Sequence, residues 1–154
     1  LGPTLIAPHS RGRLRLQSAD PLAAPCIDPR YFSDERDLQT MVSGFHIART
    51  ILQQPAFAPY RGAFFMPERD LQRADEIADF LRRRVETLYH PVGTCKMGTD
   101  PEAVVDARLR VRGVPGLRVI DASIMPTIVR GNTNAPVLMI AEKGASMILE
   151  EEEA

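Results

Sequence analysis

Apolar positions recur at intervals of three and four in three stretches, and each spacing predicts a helix, because 3.6 residues per turn stacks such positions on one face. The first covers 33–52, where Leu38, Met41, Val42, Phe45, Ala48 and Leu52 line up, Ser33 stands where an N-cap belongs and Asp34, Glu35 and Asp37 load the first turn with negative charge. Pro55 ends it. The second covers 71–88 through Ala74, Ile77, Ala78, Leu81, Val85 and Leu88, with Arg82, Arg83 and Arg84 spread over a solvated face near the C-terminal end. The third begins near Asn134 or Ala135, with Pro136 in the first turn, where a missing N–H costs nothing. It is expected to bury Val137, Ile140, Ala141, Gly144, Met147 and Ile148 and to end in the solvated glutamates Glu150 to Glu153.

A period of two is weaker and shorter. Residues 13–16 alternate Arg-Leu-Arg-Leu, which predicts a half-buried strand with its arginines in solvent. Pro21, Pro25 and Pro29 mark an extended loop after it. Residues 55–67 read as loop or as a short strand at 63–66, and 104–111 as strand. A Gly-Val-Pro-Gly turn at 113–116 leads to a short buried strand at 117–120 that ends at Asp121.

Composition narrows the classes. A chain of 154 residues that is 44% hydrophobic can bury a core without disulfides or metal. Nineteen basic against twenty acidic residues leave a net charge of -1, so no field favours nucleic acid or an anionic membrane surface. No apolar run has the length of a membrane span, and no secretory signal pattern opens the chain. Cys26 and Cys95 form neither a CxxC pair nor a zinc-ligand spacing, and are expected as free thiols in a reducing compartment, with the cytoplasm as default. The start at Leu1, without an initiator methionine, is expected of a piece of a longer polypeptide or of a processed chain.

Two stretches concentrate chemistry. Tyr-His-Pro-Val-Gly-Thr-Cys-Lys-Met-Gly occupies 89–98 and Arg-Gly-Asn-Thr-Asn-Ala-Pro occupies 130–136. Pro91 biases His90 toward extended backbone, so the imidazole projects from a defined place, and histidine is the usual general base near neutral pH. Asn132 and Asn134 stand at the start of the last helix, whose free N–H groups favour negative charge, although asparagines there are commonly caps alone. Asp121 resembles a ligand-facing residue at a strand's carboxyl end; the plain alternative is a turn aspartate. His46, inside a helix, and His9, beside Pro8, read as structural. Gly93 and Gly98 have a Walker spacing, but Thr99 stands where the lysine should be, and no GxGxxG occurs.

Taken in order, His-Pro-Val-Gly-Thr-Cys-Lys-Met-Gly at 90–98, Leu-Arg-Val-Ile-Asp-Ala-Ser-Ile-Met-Pro at 117–126 and Gly-Asn-Thr-Asn-Ala-Pro at 131–136 resemble the C-terminal part of a glucose-methanol-choline (GMC) oxidoreductase. Pro-His-Ser-Arg-Gly at 8–12 and Asp20-Pro21 are similar to the start of that region. The resemblance implies an α+β fold: an antiparallel sheet with packed helices, plus a terminal strand and helix of a flavin adenine dinucleotide (FAD) domain. It implies that 1–98 belongs to the substrate-binding domain and that 99–154 completes it and returns to the FAD domain, whose GxGxxG part is absent here.

The same resemblance implies site residues. His90 matches the active-site base and Asn132 the second catalytic position, Asp121 and Ala122 match residues at the FAD ribityl-pyrophosphate, Thr133 and Asn134 match residues near the flavin ring, and Tyr89 matches a pocket-lining position. The implied reaction oxidises a choline-like or aliphatic alcohol: His90 takes the hydroxyl proton, Asn132 donates to the developing alkoxide, and a hydride passes to flavin N5. The implied partners are a small-molecule alcohol, the missing N-terminal FAD-binding part of the same polypeptide, and an electron acceptor, quinone or oxygen; the isolated chain is expected to be inactive. A hydroxynitrile lyase of the same family and a stand-alone binding domain without flavin are the rival expectations.

Overall fold

The longest apolar period in the first half of the chain forms helix α1, Glu35–Leu52. Asp34 rather than Ser33 caps it: its backbone is extended and its carboxylate accepts from Arg36 N–H at 3.0 Å, where a negative cap also complements the helix dipole. Asp37, a first-turn charge by its sequence position, turns inward instead and is 1% exposed. Its two oxygens accept from the N–H groups of His9 at 2.8 Å and Ser10 at 2.7 Å. The burial of this carboxylate is compensated by those two bonds, and they tie the entering segment to the helix.

Helix α2, Ala74–Arg84, is shorter than the 71–88 periodicity. Val85 leaves the helix with φ -62° and ψ 134°; Val85 and Thr87 are β-branched and favour extended backbone. Leu88 is consequently exposed and adds nothing to the buried face of the helix, despite its spacing. α1 and α2 meet over Leu38, Leu71, Ile77 and Leu81, with Phe45 and Phe80 edge to face at 6.2 Å. Arg49 at the end of α1 grips Asp70 through two bonds of 2.6 Å.

Strands β1, Arg13–Arg15, and β2, Cys26–Asp28, pair antiparallel with Leu14 opposite Ile27. The expected strand is present, but both strands are exposed along their length, so the expected half-burial is not. β2 lies in the stretch that the prolines marked as loop: Pro25 and Pro29 bracket it rather than interrupt it. After α1, residues Pro55–Tyr60 wind into a 3-10 turn, and 63–66 are loop, not strand.

The structure, a computed structural model, describes residues 1–152, and they divide into a unit spanning Leu1–Glu86, which holds the elements above, and a second beginning at Thr87. The second unit is built on irregular pairing. Residues 104–111 fold back on themselves through an isolated bridge of Val105 with Val111 and touch 117–120 through another, Arg110 with Arg118, because Asp106 closes a tight turn that accepts from Arg108 and Arg110 N–H and the next turn follows within a few residues. Residues 117–120 are half-buried or exposed rather than buried. A 3-10 turn, Ala122–Ile124, leads toward helix α3, Asn134–Glu152. Val105, Leu109, Ile124, Met125 and Ile140 form the core of this unit.

α3 buries Ile140 and Gly144 and half-buries Val137, Met147 and Ile148, whereas Ala141 faces outward. Gly144 is required by proximity: a Cβ there would stand 2.5 Å from Ile120 Cγ2. Glu151 is not merely solvated, since it pairs with Arg108 and Arg118; Glu153 lies outside the described residues. Helices with a two-stranded antiparallel sheet make the chain α+β. No helix among the described residues is long and apolar enough to cross a membrane.

Candidate active site

The 90–98 motif is held in place by its backbone. Cys95 N–H donates to Ser123 O at 3.0 Å and Met97 N–H to Ile124 O at 2.7 Å, laying the motif along the Ala122–Ile124 turn. That turn is itself capped by Asp121, whose carboxylate accepts from Ser123 N–H at 2.7 Å. Gly93 adopts φ +88°, where an L side chain is strained, and a Cβ there would lie 3.2 Å from Met125 O. The glycine thus allows the loop to sit against 123–125.

Upstream of the loop the chain makes a less common turn. Tyr89 has φ +62°, a left-handed conformation unusual for a bulky residue, supported by Thr87 Oγ1, which accepts from Tyr89 N–H at 3.0 Å. Tyr89 is 82% exposed. The kink delivers His90 half-buried to the start of α3. There His90 Nδ1 lies 2.9 Å from Thr133 Oγ1, and His90 Nε2 lies 3.3 Å from Asn132 Nδ2. Residues separated by more than forty positions therefore converge on one imidazole.

The other residues singled out from sequence make no side-chain hydrogen bond to this cluster among the described residues. Asp121 and Asn134 are exposed and Ala122 is half-buried against the core. Lys96, in the middle of the motif, pairs with Asp100 at 2.9 Å, and this ammonium holds the Asp100 carboxyl below its ordinary range. Both cysteines are free, Cys95 partly buried and Cys26 exposed. No group of His, Cys, Asp and Glu among the described residues could hold a metal ion.

Two features lie beyond the sequence reading. Family resemblance puts Thr133 near the flavin, yet it is 9% exposed and its hydroxyl contacts His90. Asp37 reads along the chain as a dipole charge, but an aspartate in register with Leu38, Met41 and Val42 sits at the edge of the apolar face, and that register is the signal of its burial.

Comparison with known proteins bears directly on this arrangement. A sequence profile described as GMC oxidoreductase matches residues 8–141. The chain is 50% identical over 144 residues to an alcohol dehydrogenase [acceptor] of Pseudomonas putida, covering 94% of this chain and 26% of that protein. It is 51% identical over 139 residues to an oxygen-dependent choline dehydrogenase of Acinetobacter baumannii, covering 90% and 25%. Among solved structures, it matches pyridoxine 4-oxidase from Mesorbium loti with a TM-score of 0.84 at 40% identity, covering 92% of this chain and 28% of that one. It matches a formate oxidase of Aspergillus oryzae, studied for its FAD modification, with a TM-score of 0.85 at 30% identity over 97% of this chain and 26% of that one. The chain spans about a quarter of the length of these relatives.

Proposed function

Because this chain belongs to the GMC oxidoreductase family, we propose that it supplies the proton-handling half of an FAD-dependent active site that oxidises an alcohol, choline-like or aliphatic, to the aldehyde. The observation that carries the reading is the convergence of His90 Nε2 and Asn132 Nδ2, a base and a neutral donor 3.3 Å apart at the start of a helix. An alcohol oxygen placed beside both would give its proton to Nε2 and, as negative charge develops, accept from the Asn132 amide. The two groups divide the work: one removes the proton and the other stabilises what remains.

The residues present fit one edge of a flavin. The first N–H groups of α3 have no intrahelical partner and the helix's positive end favours negative charge; Asn134 is exposed there. Asp121 leaves one carboxylate oxygen without a partner among the described residues. Asn134 and Thr133 would border the ring, and Asp121 with Ala122 the ribityl-pyrophosphate. FAD, when bound, supplies the hydride acceptor. A phosphate cradle would come from an N-terminal GxGxxG part of the polypeptide outside this chain. In the same reading, 1–98 faces substrate, 99–154 returns to the FAD domain, Tyr89 lines the pocket, and quinone or oxygen takes the electrons.

The test is anaerobic mixing of the flavin-loaded, full-length protein with alcohol. His90→Ala is expected to lower the rate of flavin reduction by about 10²-fold or more, the usual worth of a general base, and an unchanged rate removes His90 from that role. Asn132→Ala is expected to slow reduction more than it weakens flavin retention. Failure of any alcohol to reduce the flavin, together with cyanohydrin cleavage, would move the chain to the lyase reading.

A further inference from the structure

Thr133 stands at the N-cap of α3: its carbonyl accepts from Val137 N–H at 3.0 Å and the helix starts at Asn134. A threonine in that place ordinarily turns its hydroxyl onto the N–H two or three residues ahead. The third residue ahead is Pro136, which has no N–H to offer. The hydroxyl lies instead 2.9 Å from His90 Nδ1, on a residue only 9% exposed. Across the ring, Nε2 faces the Asn132 amide nitrogen at 3.3 Å. An amide nitrogen only donates, so Nε2 presents a lone pair, and a neutral imidazole with its lone pair there carries its proton on Nδ1. Nδ1–H then donates to Thr133 Oγ1.

We propose that Thr133 is a positioning residue that holds His90 as its Nδ1–H tautomer, leaving Nε2 unprotonated on the side of Asn132 and the alcohol. The inference rests on the reading of His90 as the base and gives Thr133 a task in addition to the place beside the flavin that its family position implies. Pro136 belongs to the same device, since it withdraws one of the two backbone donors that compete for the threonine hydroxyl and leaves only Ala135 N–H. The burial of the contact matters too: water reaches the exposed Asn132 but not readily the Thr133 hydroxyl, so this bond keeps its strength where a solvated one would not. Without the hydroxyl, the ring would revert toward the Nε2–H tautomer that free histidine favours, and the nitrogen that must accept a proton would already carry one.

The test is two-bond proton–nitrogen correlation on the full-length, flavin-loaded protein labelled with 15N-histidine, for the parent, Thr133→Val and Thr133→Ser. The parent is expected to show His90 mainly as Nδ1–H. Thr133→Val, which keeps the shape and removes the hydroxyl, is expected to shift the tautomer ratio toward Nε2–H by about fivefold, the size one hydrogen bond supports, and to lower kcat more than it raises KM. Thr133→Ser is expected to restore both with flavin content unchanged. An Nε2–H tautomer in the parent overturns the proposal outright, even if the valine variant fails to fold. An unshifted ratio in Thr133→Val overturns it as well, and loss of flavin with that unshifted ratio would leave Thr133 a cofactor contact only. The tautomer is read without turnover, so a His90→Ala enzyme of undiminished rate would sink the base assignment and leave this result standing.

Discussion

Asp37 illustrates how much one side chain can decide. Burial alone would raise its pKa, but the N–H of His9, then the hydroxyl and N–H of Ser10, outweigh that and hold the carboxyl below its ordinary value. An asparagine in its place would keep the shape and offer one acceptor where two are needed, leaving an N–H of the 8–12 segment facing an amide N–H. Asp37→Asn is therefore expected to cost about 2 kcal/mol, the range for hydrogen bonds to a charged group. Equilibrium urea denaturation of the full-length protein would register it as a lower midpoint with an unchanged slope; an unaltered midpoint would show that the segment is held elsewhere. Tyr89 is the opposite case. Its exposed ring contributes little packing, while its left-handed backbone sets where the following histidine points.

Between elements, the second unit depends on short polar turns more than on sheet. Asp106 is the clearest: Arg110 N–H, then the Arg110 guanidinium and Arg108 N–H, lower its pKa to about 2. A depressed carboxyl stabilises the fold above its unfolded value, roughly 3.9, and that contribution is lost as pH falls toward about 2. Carboxyl 13C shifts followed from pH 5 downward are expected to place the Asp106 midpoint near this low value, with the 106–110 turn loosening at the same pH. An ordinary midpoint would mean that the turn is held by its apolar residue Leu109 instead. The same turn explains why 104–111 pairs through single bridges: the chain reverses before a ladder can extend. Helix α3 is readable in both position and period, because Pro136 and the apolar spacing agree on where it starts.

For the chain as a whole, uncovered apolar surface governs behaviour in solution. Leu138 and Leu149 on α3 are each 60% exposed, and with Ala141 and Ala145 they form a stripe at helical spacing opposite the buried Ile140 and Gly144. Produced by itself, the chain is expected to self-associate through such surface. Leu138→Lys combined with Leu149→Lys should raise the monomer fraction in sedimentation velocity without disturbing the core. An unchanged distribution would assign the association to another face. The expected exclusion of nucleic acid rests on the near-neutral charge, and the arginines of β1 remain in solvent as the alternation required.

Local signals settled the helices, the first strand and the motifs, because helical period, prolines and caps act within a few residues and can be read along a line. They also carried the family, since the three motifs are specific in their order. Burial along 13–16 could not be read, because alternation says which side chains share a face and not whether anything covers it. The end of the second helix escaped for a related reason: Val85 and Leu88 keep the spacing after the backbone has ceased to be helical. That His90 and Asn132 share one site followed from the family resemblance and from no local signal; their geometry and the contact of His90 with Thr133 belonged to tertiary structure alone. Both require the Tyr89 kink, the Gly93 loop seated on 123–125 and the start of α3 to meet, and a contact across forty residues has no local energetic signature in the sequence.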